Sequence, residues 1–188
     1  MNFRTSGILL LALAVMASFF FYYRENKPVP QRPKTVFMYQ YEISDIVQMD
    51  VHSKDRLMAV KWDPATQDWS FVDGRTEQVE PSRANGLRIL LSGPGTHRQL
   101  NKTAVPPDRL AEYGLAKPDV FANIALKNGQ IHRVLIGSLT PDGGNYYTKN
   151  GDDDSIYLVD VTWGNEIIRF VNEPPVLKSS SGGINTPS

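Results

Sequence analysis

The sequence predicts an α+β domain with a mostly antiparallel sheet and two short covering helices, preceded by one N-terminal transmembrane helix. Three observations lead to this prediction. Alternating apolar and polar runs are separated by short turns such as Asn128-Gly129, which favours a hairpin because both residues tolerate positive φ. Residues 81–91 and 162–171 repeat apolar side chains at helical spacing. Residues 7–23 form an apolar run without a charged side chain.

Composition divides the chain into five segments. A short flank at residues 1–6 precedes the apolar run at 7–23, and a proline-bearing linker at 24–34 follows it. Proline favours extended polyproline geometry, so the linker is expected to act as a spacer. The folded domain is expected over residues 35–172. A disordered tail rich in Ser, Gly and Pro is expected over residues 173–188.

The apolar run is predicted to be an uncleaved membrane anchor. As a helix it would be about 26 Å long, close to the hydrocarbon thickness of about 30 Å. A cleaved signal peptide with Val15-Met16-Ala17 at its cleavage site is one alternative, and a buried soluble helix is another. Five aromatic residues continue the run beyond that site and suit the membrane interface. These are Phe19, Phe20, Phe21, Tyr22 and Tyr23.

The charges beside the anchor bear on its orientation. Arg4 precedes the anchor, whereas Arg24, Lys27, Arg32 and Lys34 follow it. Positively charged flanks tend to stay in the cytoplasm. A literal count therefore places the domain on the cytoplasmic side.

Strands and helices are predicted in an order that occurs twice. Four strands, at residues 36–43, 46–51, 57–62 and 69–72, precede the first helix, and four more, at 120–126, 131–136, 146–149 and 156–159, precede the second. The two helical segments, PSRANGLRILL and VTWGNEIIRFV, share a faint similarity. This leaves an ancient duplication open, and the pattern does not decide between one sheet and two.

Composition and spacing argue against several kinds of site. The chain has 20 basic and 20 acidic side chains, which argues against a nucleic-acid binder, and it has no cysteine for disulfides, thiol chemistry or zinc. Residues 152–154, with Asp142 and Asn145 nearby, could offer oxygen ligands to calcium, but the EF-hand pattern is missing and a solvated hairpin tip is favoured. No metal-ligand spacing links the three histidines, which are His52, His97 and His132. No catalytic, cofactor-binding or metal-binding residue is therefore predicted.

The aromatic residues of the domain allow three interpretations, one of which is that they line a groove for a small ligand. Most of them are expected to pack the sheet against its helices. Some could instead form a protein-contact surface, because aromatic and arginine side chains supply most interface anchors. The residues concerned are Trp62, Trp69, Tyr146, Tyr147, Tyr157 and Trp163.

The second half of the chain resembles the domain-of-unknown-function 4340 family. The series begins with LAEYGL at residues 110–115 and Pro118, and it continues with Asn128-Gly129, VLIG at 134–137, Tyr146-Tyr147 and IYLV at 156–159. Together with the Asp68-Trp69 hairpin and the anchor, the resemblance extends over residues 8–172 and is to the shorter, cyanobacterial-type members. The usual acidic residue after the Ile-Gly pair is Ser138 in this chain.

The most specific part of the resemblance is interpreted as fold-specifying. Gly114 after Tyr113 permits a left-handed turn that ends a helix, and Pro118 favours an extended Lys117 before the next strand. Tyr113 and Leu115 could then be buried under the sheet. The resemblance brings no known reaction and no catalytic residue.

The resemblance implies a membrane-anchored, extracytoplasmic protein, in periplasm or thylakoid lumen, of a kind that can accompany ABC-type transport systems. The leading hypothesis is therefore a non-enzymatic accessory subunit whose domain binds a larger integral membrane protein complex through a sheet edge or an aromatic face. Its expected partners are the lipid bilayer and that complex, and no nucleic acid or cofactor. The alternatives are a subunit of a photosynthetic or respiratory complex held mainly by its helix, and an extracytoplasmic module for a lipid, glycan or metal. An enzyme is the least favoured class.

Overall fold

The computed structural model describes residues 3–25, 34–100, 107–151 and 153–178. It forms two compact units, residues 1–33 and residues 34–188. Most of the predicted linker lies outside the described residues, as do Asp152 and the tail from residue 179 onward.

The first unit consists of helix α1 (Phe3–Glu25). Its segment Ser6–Arg24 has a mean hydropathy of 1.9, and it is the one stretch of the described chain that is long and apolar enough to cross a membrane. An N-terminal signal sequence would meet the same criterion of length and composition. The hydroxyl group of Ser18, the one serine or threonine in residues 7–23, donates to the carbonyl of Ala14 at 2.9 Å and is therefore satisfied inside the helix.

The second unit is an α+β domain, which confirms the predicted fold class. Its strands are β1 (Val36–Phe37), β2 (Ile46–Ser53), β3 (Arg56–Asp63), β4 (Asp68–Phe71), β5 (Gly95–Thr96), β6 (Gln99–Leu100), β7 (Val120–Leu126), β8 (Ile131–Leu139), β9 (Asn145–Asn150) and β10 (Ile156–Asp160). Its helices are α2 (Pro81–Leu90), α3 (Val161–Asn172) and two 3₁₀ helices, Ile43–Asp45 and Pro107–Tyr113.

The described strands form one large sheet and one small pair. The large sheet has eight strands in the order β4-β3-β2-β7-β8-β9-β10-β6, and β1 pairs with β5 separately. Neighbouring strands are antiparallel, including β2 and β7 at the point where the two halves of the chain meet. The predicted order of strands followed by a helix therefore occurs twice. A common origin of the halves stays a prediction.

Helices α2 and α3 cover one face of the large sheet. The core between the helices and the sheet contains alternate residues of β3, β7 and β8, as the period of a pleated strand requires. In β2 the alternation starts at Met49, after a register shift between Ile46 and Gln48. Two indole groups form hydrogen bonds to α2. From α3, Trp163 Nε1 donates to the carbonyl of Leu90 at 2.9 Å, and from β4, Trp69 Nε1 donates to Asn85 Oδ1 at 2.9 Å. Fully buried members of this core include Ile46, Met49, Val51, Val60, Ile124, Val134 and Ile167.

Helix α3 begins and packs for identifiable reasons. The Asp160 carboxylate caps its first turn by accepting the Thr162 N–H at 2.8 Å. Gly164 then allows close packing on β9, because a Cβ at this position would overlap the ring of Tyr146. The Tyr146 hydroxyl also donates to Asn165 Oδ1 at 3.0 Å, so the ring is held against the helix at both ends.

The opposite face of the sheet is covered only in part by the described residues. Leu115, just after the second 3₁₀ helix, packs with Ile156 in a smaller cluster on this face. The half-buried residues around that cluster lie on the 3₁₀ helix and on β6, β8 and β9. They are Leu100, Leu110, Tyr113, Leu135 and Tyr147.

Two segments differ from the sequence-based expectation. The strand predicted at residues 36–43 stops at Phe37, because the following residues bond to the exit of α2: Met38 N–H donates to the Pro94 carbonyl and Tyr41 N–H to the Ser92 carbonyl. The tail predicted to be disordered from residue 173 is ordered over its first residues. There Val176 bridges to Val79 and Glu80 N–H donates to the Pro175 carbonyl at 2.7 Å.

The packing at Gly164 gives a prediction with a built-in control. Gly164→Ala is expected to destabilise the domain by about 1–3 kcal/mol, because the new methyl group must displace the Tyr146 ring. Gly86→Ala lies in α2 with no atom within 4 Å of the new methyl group, and it is expected to stabilise by about 0.5–1 kcal/mol through helix propensity. Thermal unfolding of the full chain, followed by tryptophan emission, measures both. Equal shifts of the unfolding midpoint for the two variants would contradict this account of α3 packing.

Candidate functional site

One broad part of the sheet is left without a covering layer by the described residues. It consists of the outward-facing side chains of β2, β3, β7 and β8, none of which is buried. We call it the open face, and its residues are Gln48, Asp50, His52, Leu57, Ala59, Lys61, Phe121, Asn123, Ala125, Ile131 and Arg133.

An aromatic row lies on the open face. Leu57, His52 and Phe121 stand opposite one another on β3, β2 and β7. The His52 imidazole stacks on the Phe121 ring with 4.2 Å between centroids and 13° between planes. From the β8 side, the Arg133 guanidinium lies 4.9 Å from the same ring and donates to Asn123 Oδ1 at 2.9 Å. The contacts on both flanks fix the phenyl ring in one orientation.

Two exposed aliphatic side chains lie on the open face: Leu57 is part of the row, and Ile131 pairs with Ala125, four residues along β7 from Phe121. Leu57 is 53% exposed and Ile131 is 70% exposed. Aromatic and arginine side chains beside exposed aliphatic groups are the usual composition of a protein interface. The open face therefore has the residue composition of a protein interface.

The β4 edge of the sheet is less suited to a partner strand. An edge strand presents unpaired backbone groups, and natural proteins block them with charged side chains. The Asp68 carboxylate accepts the backbone N–H of Trp69 at 2.7 Å. Of the two surfaces that the sequence suggested, this blocking favours the aromatic face over the sheet edge.

Three of the residues predicted to specify the fold, Tyr113, Gly114 and Leu115, lie at the contact between the end of the second 3₁₀ helix and β8. Gly114 has φ +69°, and a Cβ there would overlap Ser138 Oγ and lie 2.7 Å from Ser138 N. Gly137 is packed equally closely, because a Cβ on it would overlap the Tyr113 carbonyl oxygen. Leu115 is only 3% exposed, whereas Pro118 is half-buried. The Tyr-Gly-Leu and Ile-Gly motifs of the sequence are thus two sides of one backbone contact.

A cleft of about 730 Å³ opens beside this contact, at the end of the sheet where β3 and β7 begin. We call it the end cleft. Lys54, Arg56 and Lys117 line it together with Asp55 and Asp119, and Arg56 Nη1 donates to Asn172 Oδ1 at 3.3 Å. Its apolar lining comprises Val120, Ile136, Leu139, Tyr146 and Ile168.

Lys54 has an unusual backbone in the turn between β2 and β3. Its φ is +55°, in the left-handed region that favours glycine, and its N–H donates to the Asp119 carbonyl at 2.7 Å. That bond ties the turn to the start of β7. No motif in the sequence marks Lys54, Arg56 or Lys117. The polar residues Lys54-Asp55 between two alternating runs were a signal for the hairpin that carries Lys54 and Arg56, whereas no local signal places Lys117 beside them.

The three histidines lie in different surroundings. His132 is buried, with the rings of Tyr39 and Tyr41 at 4.4 and 5.3 Å, whereas His52 belongs to the open face and His97 is exposed. Burial, together with the nearby Tyr41, raises the pKa of Tyr39 well above its usual range. Over the described parts of the chain, no group of three or more His, Asp or Glu side chains could hold a metal ion.

The carboxylates predicted at the acidic hairpin tip form hydrogen bonds with residues close to them in sequence. The Tyr157 hydroxyl donates to the Asp153 carboxylate, and burial together with this bond raises the pKa of Tyr157 to about 12. Asp142 accepts from Thr140 and from the backbone of Gly144. These carboxylates therefore organise their own turns, and Asp152 lies outside the described residues.

The aromatic residues of the predicted anchor lie at the C-terminal end of α1. Phe19 stacks on Tyr23 with 5.9 Å between centroids, and Phe20 and Phe21 meet edge to face at 6.3 Å. All five are exposed, as a helix in contact with lipid requires. In the second unit, which we call the globular unit, Trp69, Tyr157 and Trp163 are buried, as the packing interpretation of the aromatic residues predicts.

Comparison with known proteins agrees with the resemblance seen in the sequence. Residues 95–170 match the family described as Domain of unknown function (DUF4340). The match includes the Tyr-Gly-Leu motif, Gly137, Phe121 and Arg133, whereas His52, Lys54 and Arg56 lie before it. It spans about two fifths of the chain and confirms the family resemblance there. No curated protein and no solved structure matches the chain.

The backbone contact at Gly114 can be tested by adding one methyl group. Gly114→Ala is expected to destabilise the domain by about 2–4 kcal/mol, because alanine disfavours φ +69° and its Cβ overlaps Ser138. Ser138→Ala removes only the hydroxyl group and is expected to change the stability by less than about 0.5 kcal/mol. The double variant is expected to regain little, since Ser138 N remains 2.7 Å from the added Cβ. Thermal unfolding of all three variants measures this, and an unaffected Gly114→Ala would rule out the fold-specifying role.

Proposed function

We propose that this protein is a membrane-anchored, non-enzymatic accessory subunit whose globular unit binds a larger integral membrane complex through the open face. The observation that carries the proposal is the fixed aromatic row on a sheet face that the described chain leaves uncovered. The resemblance to the DUF4340 family suggests an ABC-type transport system as the partner. The cyanobacterial-type origin belongs to the same proposal.

The geometry of the row supports a docking role. His52 and Arg133 already hold the Phe121 ring, so binding would lose little side-chain freedom. A partner that covered Leu57 and Ile131 would remove apolar area from water at about 25 cal/mol per Å². The open face therefore combines a rigid aromatic centre with exposed Leu57 beside it and exposed Ile131 farther along the face, and a rigid aromatic anchor is typical of an interface hot spot.

If α1 anchors the protein in the membrane, a weak interface on the open face is sufficient to hold the complex together. A tether converts binding into an intramolecular event with an effective concentration that reaches the millimolar range for short linkers. The apolar length of Ser6–Arg24 supports this tether. We place the globular unit outside the cytoplasm, in periplasm or thylakoid lumen, on the strength of the family resemblance and against the count of flanking charges.

The anchor and its orientation can be measured with single cysteines, because the natural chain has none. Ala65→Cys lies in the exposed turn between β3 and β4, and Ser6→Cys lies at the other end of the anchor. With sealed vesicles that expose the non-cytoplasmic side of the membrane, a membrane-impermeant maleimide is expected to label Cys at position 65 and to leave position 6 unlabelled until the membrane is opened. Alkaline extraction is expected to leave the full-length chain in the membrane. The reverse labelling pattern would place the domain in the cytoplasm, and an intact mass lacking residues 1–17 would establish a cleaved signal.

The open face can be tested with Phe121→Ala, matched by Ile89→Ala. Ile89 is 58% exposed on α2, away from the open face. Tagged full-length chains are extracted from native membranes in mild detergent, and the proteins bound to them are quantified by mass spectrometry. Wild type and Ile89→Ala are expected to recover one membrane complex in stoichiometric amount. Phe121→Ala is expected to recover it at least tenfold less, because truncating a central aromatic residue costs about 2 kcal/mol of binding.

Two outcomes of this experiment would overturn the proposal. Full recovery by Phe121→Ala would remove the open face as the docking surface. Recovery of the wild-type chain alone in several detergents would remove the subunit function itself. Unchanged tryptophan emission of Phe121→Ala is the control for folding, because Trp62, Trp69 and Trp163 all lie in the globular unit.

A further inference from the structure

The end cleft differs from the open face in its charge. Lys54, Arg56 and Lys117 converge there because the turn between β2 and β3 is bonded to Asp119, two residues after Lys117. All three side chains are exposed, and among the described residues none of them forms an ion pair. Asp55 and Asp119 leave the lining with a single net positive charge. That balance suits a ligand with one negative charge and several acceptor oxygens.

The volume of the end cleft and the residues that line it indicate which kind of ligand would fit. A volume of about 730 Å³ exceeds what a single small anion needs. Beside the cations, Leu139 is 46% exposed and Ile168 is half-buried, so the cleft has an apolar wall as well as a cationic one. A ligand that satisfies both walls carries an anionic group and an apolar part. Lysine and arginine are common phosphate-binding residues, and arginine can bind phosphate through two N–H groups.

The walls are also held rigid by the fold. Gly114 and Gly137 bring the second 3₁₀ helix and β8 into backbone contact on one side of the end cleft. Lys54 occupies its left-handed conformation on the other side, fixed by its bond to Asp119. Three elements distant in sequence therefore form a preorganised cavity.

We propose that the end cleft binds the phosphodiester headgroup of an anionic phospholipid. The ammonium and guanidinium groups of Lys54, Arg56 and Lys117 hold the phosphate, and the apolar part of the lipid lies along Leu139 and Ile168. This function goes beyond protein docking and does not depend on the open face. The proposed anchor supplies only the proximity to lipid.

Native mass spectrometry of the full chain in a neutral detergent tests the proposal. The probes are phosphatidylglycerol and phosphatidylcholine with identical acyl chains. Wild type is expected to retain at least fivefold more phosphatidylglycerol than phosphatidylcholine. The triple variant Lys54→Gln, Arg56→Gln and Lys117→Gln is expected to lower this ratio below twofold. The matched control replaces three cations elsewhere with Gln, at Lys34, Lys127 and Lys178, and is expected to keep the ratio of wild type.

A second pair of variants distinguishes the loss of the Lys54 charge from the effect of placing glycine at a left-handed position. Lys54→Gly and Gln67→Gly each place glycine at a position with φ near +55°, but only Lys54 lines the end cleft. Both are expected to unfold at similar temperatures, whereas only Lys54→Gly is expected to lower the preference for phosphatidylglycerol. Phe121→Ala is expected to bind phosphatidylglycerol like wild type, so failure of the docking proposal and failure of this proposal are distinguishable.

Two results would overturn the inference. Equal retention of phosphatidylglycerol by wild type and the cleft triple variant would show that the cleft cations do not bind lipid. A rise in unfolding temperature with millimolar inorganic phosphate in wild type alone, without retention of phosphatidylglycerol, would replace the lipid by a soluble phosphate compound.

Discussion

The second unit depends on one backbone contact, between the turn after the second 3₁₀ helix and strand β8. At Gly137 a Cβ would overlap the Tyr113 carbonyl, and at Gly114 a Cβ would overlap Ser138. The contact brings Leu115 into the smaller core beside Ile156. It also coincides with the irregular register between β8 and β9, where the pairing shifts between Ile136 and Leu139. A single close approach thus covers part of one sheet face and forms a wall of the end cleft.

The contact also explains why the sheet is covered unequally. The other face is occupied along most of its width by α2 and α3, held together by the Trp163 indole and the Leu90 carbonyl. The 3₁₀ helix is short, and among the described residues the apolar cluster beside it contains side chains of β6, β8, β9 and β10. The outward side chains of β2, β3 and β7 are therefore left half-exposed, and His52 and Phe121 satisfy each other by stacking. An aromatic row on such a face is expected where another molecule completes the layer.

Much of the fold could be predicted from the sequence, because its signals are local. Asn128-Gly129 predicted the hairpin between β7 and β8, and Gly129 has φ +85° in the structure. The apolar repeat of residues 162–171 predicted α3, which has the Asp160 cap that such a helix start requires. The segment at residues 36–43 was predicted less well, because its extended residues bond to the exit of α2, a partner about fifty positions away that a local pattern does not contain.

The candidate sites were beyond local prediction for the same reason. His52 and Phe121 stack because β2 lies beside β7, and that register joins the two halves of the chain. The alternation of buried and exposed positions within β2 and within β7 indicated that His52 and Phe121 face away from the core. It did not show that the two residues are neighbours. The end cleft likewise combines the turn after β2, the start of β7 and the end of α3.

Net charge illustrates the limit of composition most clearly. The equal numbers of basic and acidic residues argue against a strongly basic surface, yet they say nothing about where charges are paired. Several cations are paired near their own element, as Arg75 is with Asp73 and Arg169 with Glu166. Lys54, Arg56 and Lys117 form no ion pair within the described residues. The fold brings them together at the end cleft. A neutral chain can therefore present a local cluster of cations, and the location of that cluster follows from the bond between the Lys54 N–H and the Asp119 carbonyl.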